Sequence, residues 1–182
     1  MLKNILYIHG IASHGNDHIS TEIKKNTKYK VFSPTFSPNA KKTKKKLKKI
    51  LKKDWDLIIT FSFGSIVLNS ILDKKYKKKI LMINPIFKTT KHLKEGKKIP
   101  DFSTSSPTLY KIKKREKRMV RRSIKNGFNF KNQYMVYSQN DELTNYQKIK
   151  KTNFKKVWKI DEKHNIKDVN KILKVIKKME SL

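Results

Sequence analysis

Short apolar runs alternate with amphipathic segments along the chain, and this alternation limits the folds available to it. Runs of strand length stand at residues 4–8, 29–34, 56–61, 79–83, 133–137 and 155–160. Helical periodicity follows most of them, as at 40–52, where Leu47, Ile50 and Leu51 share one face of a lysine-rich segment. Strands that alternate with helices pair in parallel through right-handed crossovers. We therefore predict a three-layer α/β fold with a mostly parallel sheet of about six strands.

This alternation breaks down between residues 86 and 130. Residues 86–108 show no clear period, and a basic helix is expected at about 109–125. Further helices are expected just after the first strand, at 65–72, at 142–151 and from 166 onward. Nothing in the 182 residues marks a linker. We expect one domain, residues 1–182, with 86–130 as a small helical, cap-like insert over the carboxyl edge of the sheet.

A serine stands where the third strand turns into a helix, in the sequence Thr60-Phe61-Ser62-Phe63-Gly64. A tight strand-to-helix turn exposes a serine hydroxyl at the carboxyl edge of the sheet. The nucleophile elbow of α/β-hydrolases reads G-x-S-x-G, because small residues relieve crowding there. Here the second glycine is present and the first is Thr60. Taken alone, the motif also fits an ordinary serine at a helix start.

Two further residues follow in the order that a Ser-acid-His triad requires in this fold. Asp141 lies in a turn just after the fifth strand, and His164 lies between the sixth strand and the last helix. In α/β-hydrolases each triad member follows a strand that ends at the carboxyl edge. We interpret Ser62, Asp141 and His164 as nucleophile, acid and base of an α/β-hydrolase-like fold, with Glu142 as the alternative acid.

Two backbone amides are the candidates for an oxyanion hole. The first belongs to Phe63, directly after the serine, and the second to Ile11, in the loop after the first strand. His9 and Gly10 end that strand and are expected to line the substrate site. His9 is interpreted as structural rather than catalytic, because His164 has the better position for the base.

The chain resembles a known family, the small esterases of the YqiA type (UPF0227). The resemblance lies in "LYIHG", the S-x-G elbow, "INP" after the fourth strand, "QNDELTNY" and the late "HN", and it extends from Leu6 to the last helix. It implies a compact α/β-hydrolase with serine esterase activity and with Ser62, Asp141 and His164 in the roles given above. Thr60 and Phe63 depart from the smaller residues of many members, which implies either a narrower acyl pocket or a degenerate site.

The chain is strongly basic, with 46 Lys and Arg against 14 Asp and Glu and a formal net charge of +32. Lysines are spread over almost every segment, which is typical of a compositional bias on solvated surfaces. Non-specific attraction to polyanions should follow and should weaken with salt. The alternative function is therefore an inactive hydrolase-fold protein that binds nucleic acid or an acidic partner.

All four arginines lie within the insert, at positions 115, 118, 121 and 122. On a helix, Arg115, Arg118 and Arg122 would share one face. One interpretation is recognition of a carboxylate or phosphate on the substrate or on a partner. The other is a solvated helix.

Several classes of function are disfavoured. The chain has no cysteine, which excludes disulfides and Cys catalysis. It has no apolar run of membrane-spanning length and begins a strand within a few residues, so a cytoplasmic protein without a signal peptide is expected. His14 and His18 have zinc-ligand spacing, but no third ligand stands out, so neither a metal nor a cofactor is expected. The prediction is a serine hydrolase, a carboxylesterase or thioesterase, acting on a small acyl substrate.

Overall fold

A computed structural model describes residues 2–72, 76–86, 94–104, 106, 108–126, 133–144, 146 and 154–182, with the backbone alone at 122 and 124–126. Its strands are β1 (Asn4–Ile8), β2 (Lys30–Phe32), β3 (Leu57–Phe61), β4 (Lys79–Ile83), β5 (Lys98–Asp101), β6 (Thr108–Lys111), β7 (Gln133–Ser138) and β8 (Lys156–Ile160). Its helices are α1 (His18–Lys25), α2 (Ala40–Ile50), α3 (Gly64–Asn69), α4 (Lys114–Asn126) and α5 (Asn170–Glu180). None of the helices within these ranges is long and apolar enough to cross a lipid bilayer.

Six strands form one sheet in the order β2-β1-β3-β4-β7-β8, and every neighbouring pair is parallel. The four inner strands are almost entirely buried, whereas the edge strands β2 and β8 are partly exposed. Parallel strands need cover on both faces, which explains their continuous apolar sequences. The predicted sheet is confirmed.

Helices cover both faces of this sheet because alternate side chains of each strand point to opposite sides. Leu6 and Ile8 of β1 belong to a core shared with α2, α3 and α4. Ile5 and Tyr7 belong to a second core, which is shared with α1 and α5. The three-layer prediction is therefore confirmed, and the carboxyl ends of all six parallel strands meet at one edge.

The insert differs from its prediction. Residues 108–111 form β6, which pairs antiparallel with β5, so a helix beginning near 109 is wrong. Helix α4 begins at Lys114 because the buried carboxylate of Glu116 accepts the N–H of Lys113, 2.9 Å away, and also that of Ala40 on α2. Ile99 and Met119 contribute to the same core as α2 and α3.

Other helices differ in extent from the prediction. Helix α3 ends at Asn69 and α5 begins at Asn170, so both are shorter than expected. Of the helix predicted at 142–151, residues 142–144 form a turn instead, and 145 and 147–151 lie outside the described residues. The turn forms because Oδ1 of Asp141 accepts the backbone N–H groups of Leu143 and Thr144, at 2.8 and 2.9 Å.

Asp56 joins the beginnings of β1 and β3. Its Oδ2 accepts the N–H groups of Asn4 and Lys3 at 2.8 and 2.9 Å, while its own N–H donates to the Asn4 carbonyl. These hydrogen bonds lower the pKa of the Asp56 carboxyl, and the one donated by Asn4 has the largest effect. The ionised form therefore stabilises the register of the two central strands.

Replacing Asp56 with Ala should lower the free energy of unfolding by about 1 kcal/mol at neutral pH, allowing for partial exposure. The folded pKa is depressed, so this contribution is complete above the unfolded pKa of about 3.9 and disappears as the pH falls through the folded value. Urea denaturation of both proteins over an acidic pH series measures it. The exposed Asp54, replaced with Ala, is the control and should change stability little. A loss that stays constant at all pH values would contradict the role of the charge.

Candidate active site

Ser62 lies directly after β3 in a strained backbone conformation. Its φ is 50°, in the left-handed region that side chains other than glycine rarely adopt. The turn is held by the Ser62 N–H, which donates to the Ile83 carbonyl at 2.9 Å, and by the Ser62 carbonyl, which accepts the Ser65 N–H at 3.2 Å. A strained serine between a strand and a helix is the geometry of a nucleophile elbow.

Gly64 is required because α3 approaches the end of β1 very closely. A Cβ at this position would lie 2.4 Å from the Ile8 carbonyl oxygen and 2.8 Å from that of His9. Thr60, in place of the first elbow glycine, is fully buried, and its hydroxyl lies 3.0 Å from that of Ser65 on α3. The departure at Thr60 therefore adds a contact between β3 and α3.

Three side chains that the sequence singled out form a chain of hydrogen bonds. Nε2 of His164 lies 2.8 Å from the Ser62 hydroxyl oxygen, and Nδ1 lies 2.8 Å from Oδ2 of Asp141. An ionised carboxylate only accepts, so Nδ1 carries the proton and Nε2 accepts from the serine hydroxyl. The side chain of Asp141 is 1% exposed and that of His164 5%. The Phe61 ring packs 5.6 Å from the imidazole.

Glu142, the alternative acid, contacts the backbone of His164 instead of its ring. Oε2 accepts the His164 N–H at 3.0 Å, and this hydrogen bond lowers the pKa of the Glu142 carboxyl. Asp141 therefore contacts the imidazole, whereas Glu142 binds the backbone of the loop that carries His164.

Asn84 holds the same loop from the other side, and sequence analysis did not identify it. Its Nδ2 donates to the His164 carbonyl and to the Ser138 hydroxyl, both at 2.8 Å, and its Oδ1 accepts the Ser138 N–H at 2.7 Å. Asn84 is fully buried, with φ at 43°. The available signal was an Asn-Pro pair directly after a buried strand, since asparagine tolerates the left-handed region.

The backbone amides of Ile11 and Phe63 stay the predicted donors of an oxyanion hole. Within the described part of the chain, neither N–H donates to a backbone or side-chain acceptor. Ile11 lines a cleft of about 660 Å³ together with Ser62 and His164. Ile11 and Phe63 also line a smaller cavity of about 30 Å³, and residues 10–13 border both spaces. Gly10 therefore borders the cleft that contains Ser62, and its contact with a substrate stays a prediction.

His9 has both ring nitrogens engaged. Its Nδ1 lies 2.7 Å from the Gly10 carbonyl oxygen and must donate to it, so Nε2 accepts the Phe36 N–H at 2.8 Å. Burial lowers the pKa of the imidazole, which favours the neutral form that this pair of contacts requires. His9 fixes the loop after β2 against β1, and its ring borders the smaller cavity.

Arg115 and Arg118 of the insert do not line the cleft that contains Ser62. Arg115 and Arg118 border a groove of about 280 Å³ between α2 and α4, and Ser62 and His164 do not line this groove. The guanidinium of Arg115 donates to Glu116 at 3.0 Å and to the Tyr110 hydroxyl at 3.2 Å. The side chain of Arg122 lies outside the described residues. Anion recognition by these residues stays a prediction.

The two histidines with zinc-ligand spacing have separate contacts. His14 packs edge-on against Phe102, with ring centroids 6.0 Å apart, and Nε2 of His18 lies 3.1 Å from the Lys167 carbonyl oxygen. Among the residues that the structure covers, no group of three or more His, Asp or Glu side chains is arranged to hold a metal ion.

Comparison with known proteins gives one family match and a consistent fold. The model of UPF0227, described as an uncharacterised protein family, matches residues 4–181. No curated protein sequence matches the chain.

Solved structures with similar folds include the monoacylglycerol lipase of Paleococcus ferrophilus, with a TM-score of 0.67, 11% identity and coverage of 95% of this chain and 91% of that one. The esterase domain of a Rhodothermus marinus protein has a TM-score of 0.62 and 14% identity, with coverage of 95% of this chain and 82% of that one. An extracellular α/β-hydrolase from a Paenibacillus species has a TM-score of 0.61 and 10% identity, with coverage of 97% of this chain and 98% of that one. At these identities the likeness shows the fold, which is that of the α/β-hydrolases.

Replacing Asn84 with Gly should lower the free energy of unfolding by about 1–3 kcal/mol, because buried groups of Ser138 and His164 lose their partners. Replacing it with Ala should cost about 1 kcal/mol more, since alanine is strained at positive φ and glycine is not. Urea denaturation of the two variants separates the hydrogen bonds from the backbone strain. A glycine variant as stable as the unmodified protein would show that the hydrogen bonds contribute nothing.

Proposed function

The chain belongs to the UPF0227 family, and from the geometry of Ser62, His164 and Asp141 we propose that it is a serine hydrolase that cleaves esters or thioesters of small acyl groups. The observation that carries the proposal is the pair of 2.8 Å contacts linking the hydroxyl, the imidazole and the carboxylate. The serine at the start of this series of hydrogen bonds has a strained backbone, with φ of 50°. Such an arrangement activates a nucleophile at neutral pH.

In the first half of the reaction, the Ser62 oxygen attacks the acyl carbon while its proton passes to Nε2 of His164. Asp141 accepts from Nδ1, which fixes the tautomer and stabilises the imidazolium that forms. The N–H groups of Phe63 and Ile11 donate hydrogen bonds to the carbonyl oxygen, on which negative charge develops. The leaving alcohol or thiol then takes the proton from Nε2, and an acyl group remains on Ser62.

In the second half, water gives a proton to the same Nε2 and attacks the acyl carbon. The carboxylic acid leaves, and the proton returns to the Ser62 oxygen. The cleft of about 660 Å³ around Ser62 and His164 has room for the leaving group and the attacking water.

Both departures from the usual elbow are compatible with activity. The side chains of Thr60 and Phe63 are buried, and neither residue lines the cleft that contains Ser62 and His164. Thr60 bonds to α3, while Phe63 packs in the core beneath α2, α3 and α4. We infer that Ser62 is an active nucleophile and that Thr60 and Phe63 change only the packing around it. We prefer this to the alternative of an inactive binding protein.

A fluorophosphonate probe should label Ser62 in the folded protein, because the probe reacts only with an activated serine. Peptide mapping by mass spectrometry locates the adduct. The Ser62→Ala variant and a heat-unfolded sample should carry none, and Ser62→Ala should lose ester turnover on the order of a million-fold. A folded, unlabelled Ser62 would refute the proposal and favour the binding alternative.

Polyanion binding accompanies this function as a property of the surface. The outer face of α2 exposes lysines and no acidic side chain; they are Lys41, Lys42, Lys44, Lys45, Lys46, Lys48 and Lys49. Exposed Arg118 and Arg121 of α4 add to it. Mobile, hydrated ammonium groups attract phosphates without specifying a sequence.

The protein should bind heparin and DNA at low salt, with the logarithm of affinity falling linearly against the logarithm of salt concentration. Binding should be nearly lost by about 0.5 M salt, and Ser62→Ala should behave identically. Fluorescence anisotropy with two unrelated DNA sequences measures both properties. Salt-resistant or sequence-selective binding would contradict a non-specific surface.

A further inference from the structure

The groove of about 280 Å³ between α2 and α4 is bordered mainly by cationic side chains. It lies where the first turns of these two helices meet the end of α3. The described residues that line it are Ala40, Lys41, Lys44, Ser70, Arg115, Arg118 and Met119, and none of them is acidic. Neither Ser62 nor His164 belongs to this lining, so the groove is separate from the cleft that contains them.

Three of the four charges at this groove have no carboxylate partner in the described part of the chain. The ion pairs found there involve none of Lys41, Lys44 and Arg118. All three side chains are exposed, and the two lysines stand near the start of α2, whose first turn has no acidic residue. Cations are unfavourable near a helix N-terminus and close to one another. A bound anion would therefore relieve repulsion at this groove.

The fourth cation, Arg115, is fixed by contacts along one edge of its guanidinium. Nε donates to Oε1 of Glu116 at 3.0 Å, and Nη2 donates to the Tyr110 hydroxyl at 3.2 Å. The Glu116 side chain is 2% exposed and also accepts the N–H groups of Lys113 and Ala40, so it is itself held in place. These contacts use two of the five N–H donors of the guanidinium, and the remaining donors suit the oxygens of a phosphate.

The backbone N–H groups at the start of α2 are already bonded. Oδ1 of Asn39 accepts those of Lys41 and Lys42, at 3.1 and 3.3 Å, and Glu116 accepts that of Ala40 at 3.1 Å. An anion in the groove would therefore be bound by the side chains and not by the end of the helix.

Arginine distinguishes this groove from the rest of the basic surface. All four arginines of the chain lie within residues 115–122, whereas lysines are spread over almost every segment. Two of the four, Arg115 and Arg118, border the groove. A guanidinium is planar and binds phosphate oxygens in pairs, which an ammonium group cannot do. A general bias toward lysine does not account for this placement.

We propose that the groove binds a diphosphate group. A phosphate monoester carries about −1.5 to −2 charge at pH 7, so two phosphoryl groups match the four cations. On the scale by which about 150 Å³ holds benzene, the groove has room for roughly eleven heavy atoms, and a diphosphate has about nine. Because the rim is exposed, an organic group attached to the diphosphate would extend into solvent. The inference does not depend on the proposed hydrolase function.

Isothermal titration calorimetry of the full chain with inorganic diphosphate, orthophosphate and ADP tests the proposal. At roughly 0.2 M salt the Debye length is below about 8 Å, which screens separated surface charges. Diphosphate should bind with one ion per chain and about tenfold or more tighter than orthophosphate. Tighter binding of ADP would identify an organic diphosphate as the ligand, and weaker binding would identify the free ion. Several weak sites, or equal affinity for orthophosphate, would overturn the proposal.

Two variants separate the groove from the overall positive charge. Arg118→Gln removes one cation and its paired donors, and should weaken diphosphate binding by about 10- to 100-fold. Arg121→Gln is the matched control, because Arg121 is exposed on the same helix and does not line the groove. It removes the same charge and should change the affinity by less than about twofold.

Equal losses in the two variants would show attraction to net charge alone and would refute the site. Both replaced side chains are exposed, so both variants should fold, and circular dichroism checks this. Fluorophosphonate labelling of Ser62 is measured separately, so a failure of the diphosphate site and a failure of the proposed hydrolase are distinguishable.

Discussion

The close approach of α3 to the end of β1 determines the geometry of the whole site. Gly64 permits it, because any side chain there would collide with the Ile8 carbonyl oxygen. The chain must therefore leave β3 and enter α3 within two residues, which forces Ser62 to positive φ and aims its hydroxyl at the carboxyl edge of the sheet. The same approach sets the Phe63 amide beside the loop that carries Ile11. A larger residue at 64 would separate the two amides and relax the turn.

His164 depends on a second constraint, which acts on its backbone. It lies in an irregular segment between β8 and α5, and such a segment has little rigidity of its own. Glu142 holds its N–H and Asn84 its carbonyl, so the peptide groups on both sides of the imidazole are fixed to neighbouring strand ends. The ring then needs only small adjustments to bridge Ser62 and Asp141. Precise placement of this kind supplies much of the effect of a general base.

The sequence predicts the part of the fold that depends on local periodicity. The six parallel strands follow from apolar runs, and the proximity of Ser62, Asp141 and His164 follows from their positions after three strands that end at one edge. The contacts of Asn84 involve residues 54 and 80 positions away, so no local pattern indicates them. The β5–β6 hairpin was missed because β6 has no alternation of buried and exposed residues, with Leu109 67% exposed.

Two spaces meet at residues 10–13, and the described residues of the insert and the loops of the parallel sheet contribute to them unequally. The described insert residues Pro100, Phe102 and Met119 border the small cavity, whereas the open cleft is lined chiefly by the loops after β1, β3 and β8. Those loops also carry the groups that perform the proposed chemistry, so they have little freedom to vary. The described insert residues at the small cavity carry none of those groups. Changes in the packing of Met119 against Val67 would reshape the small cavity, whereas the hydrogen bonds that join Ser62, His164 and Asp141 involve none of the residues that line it.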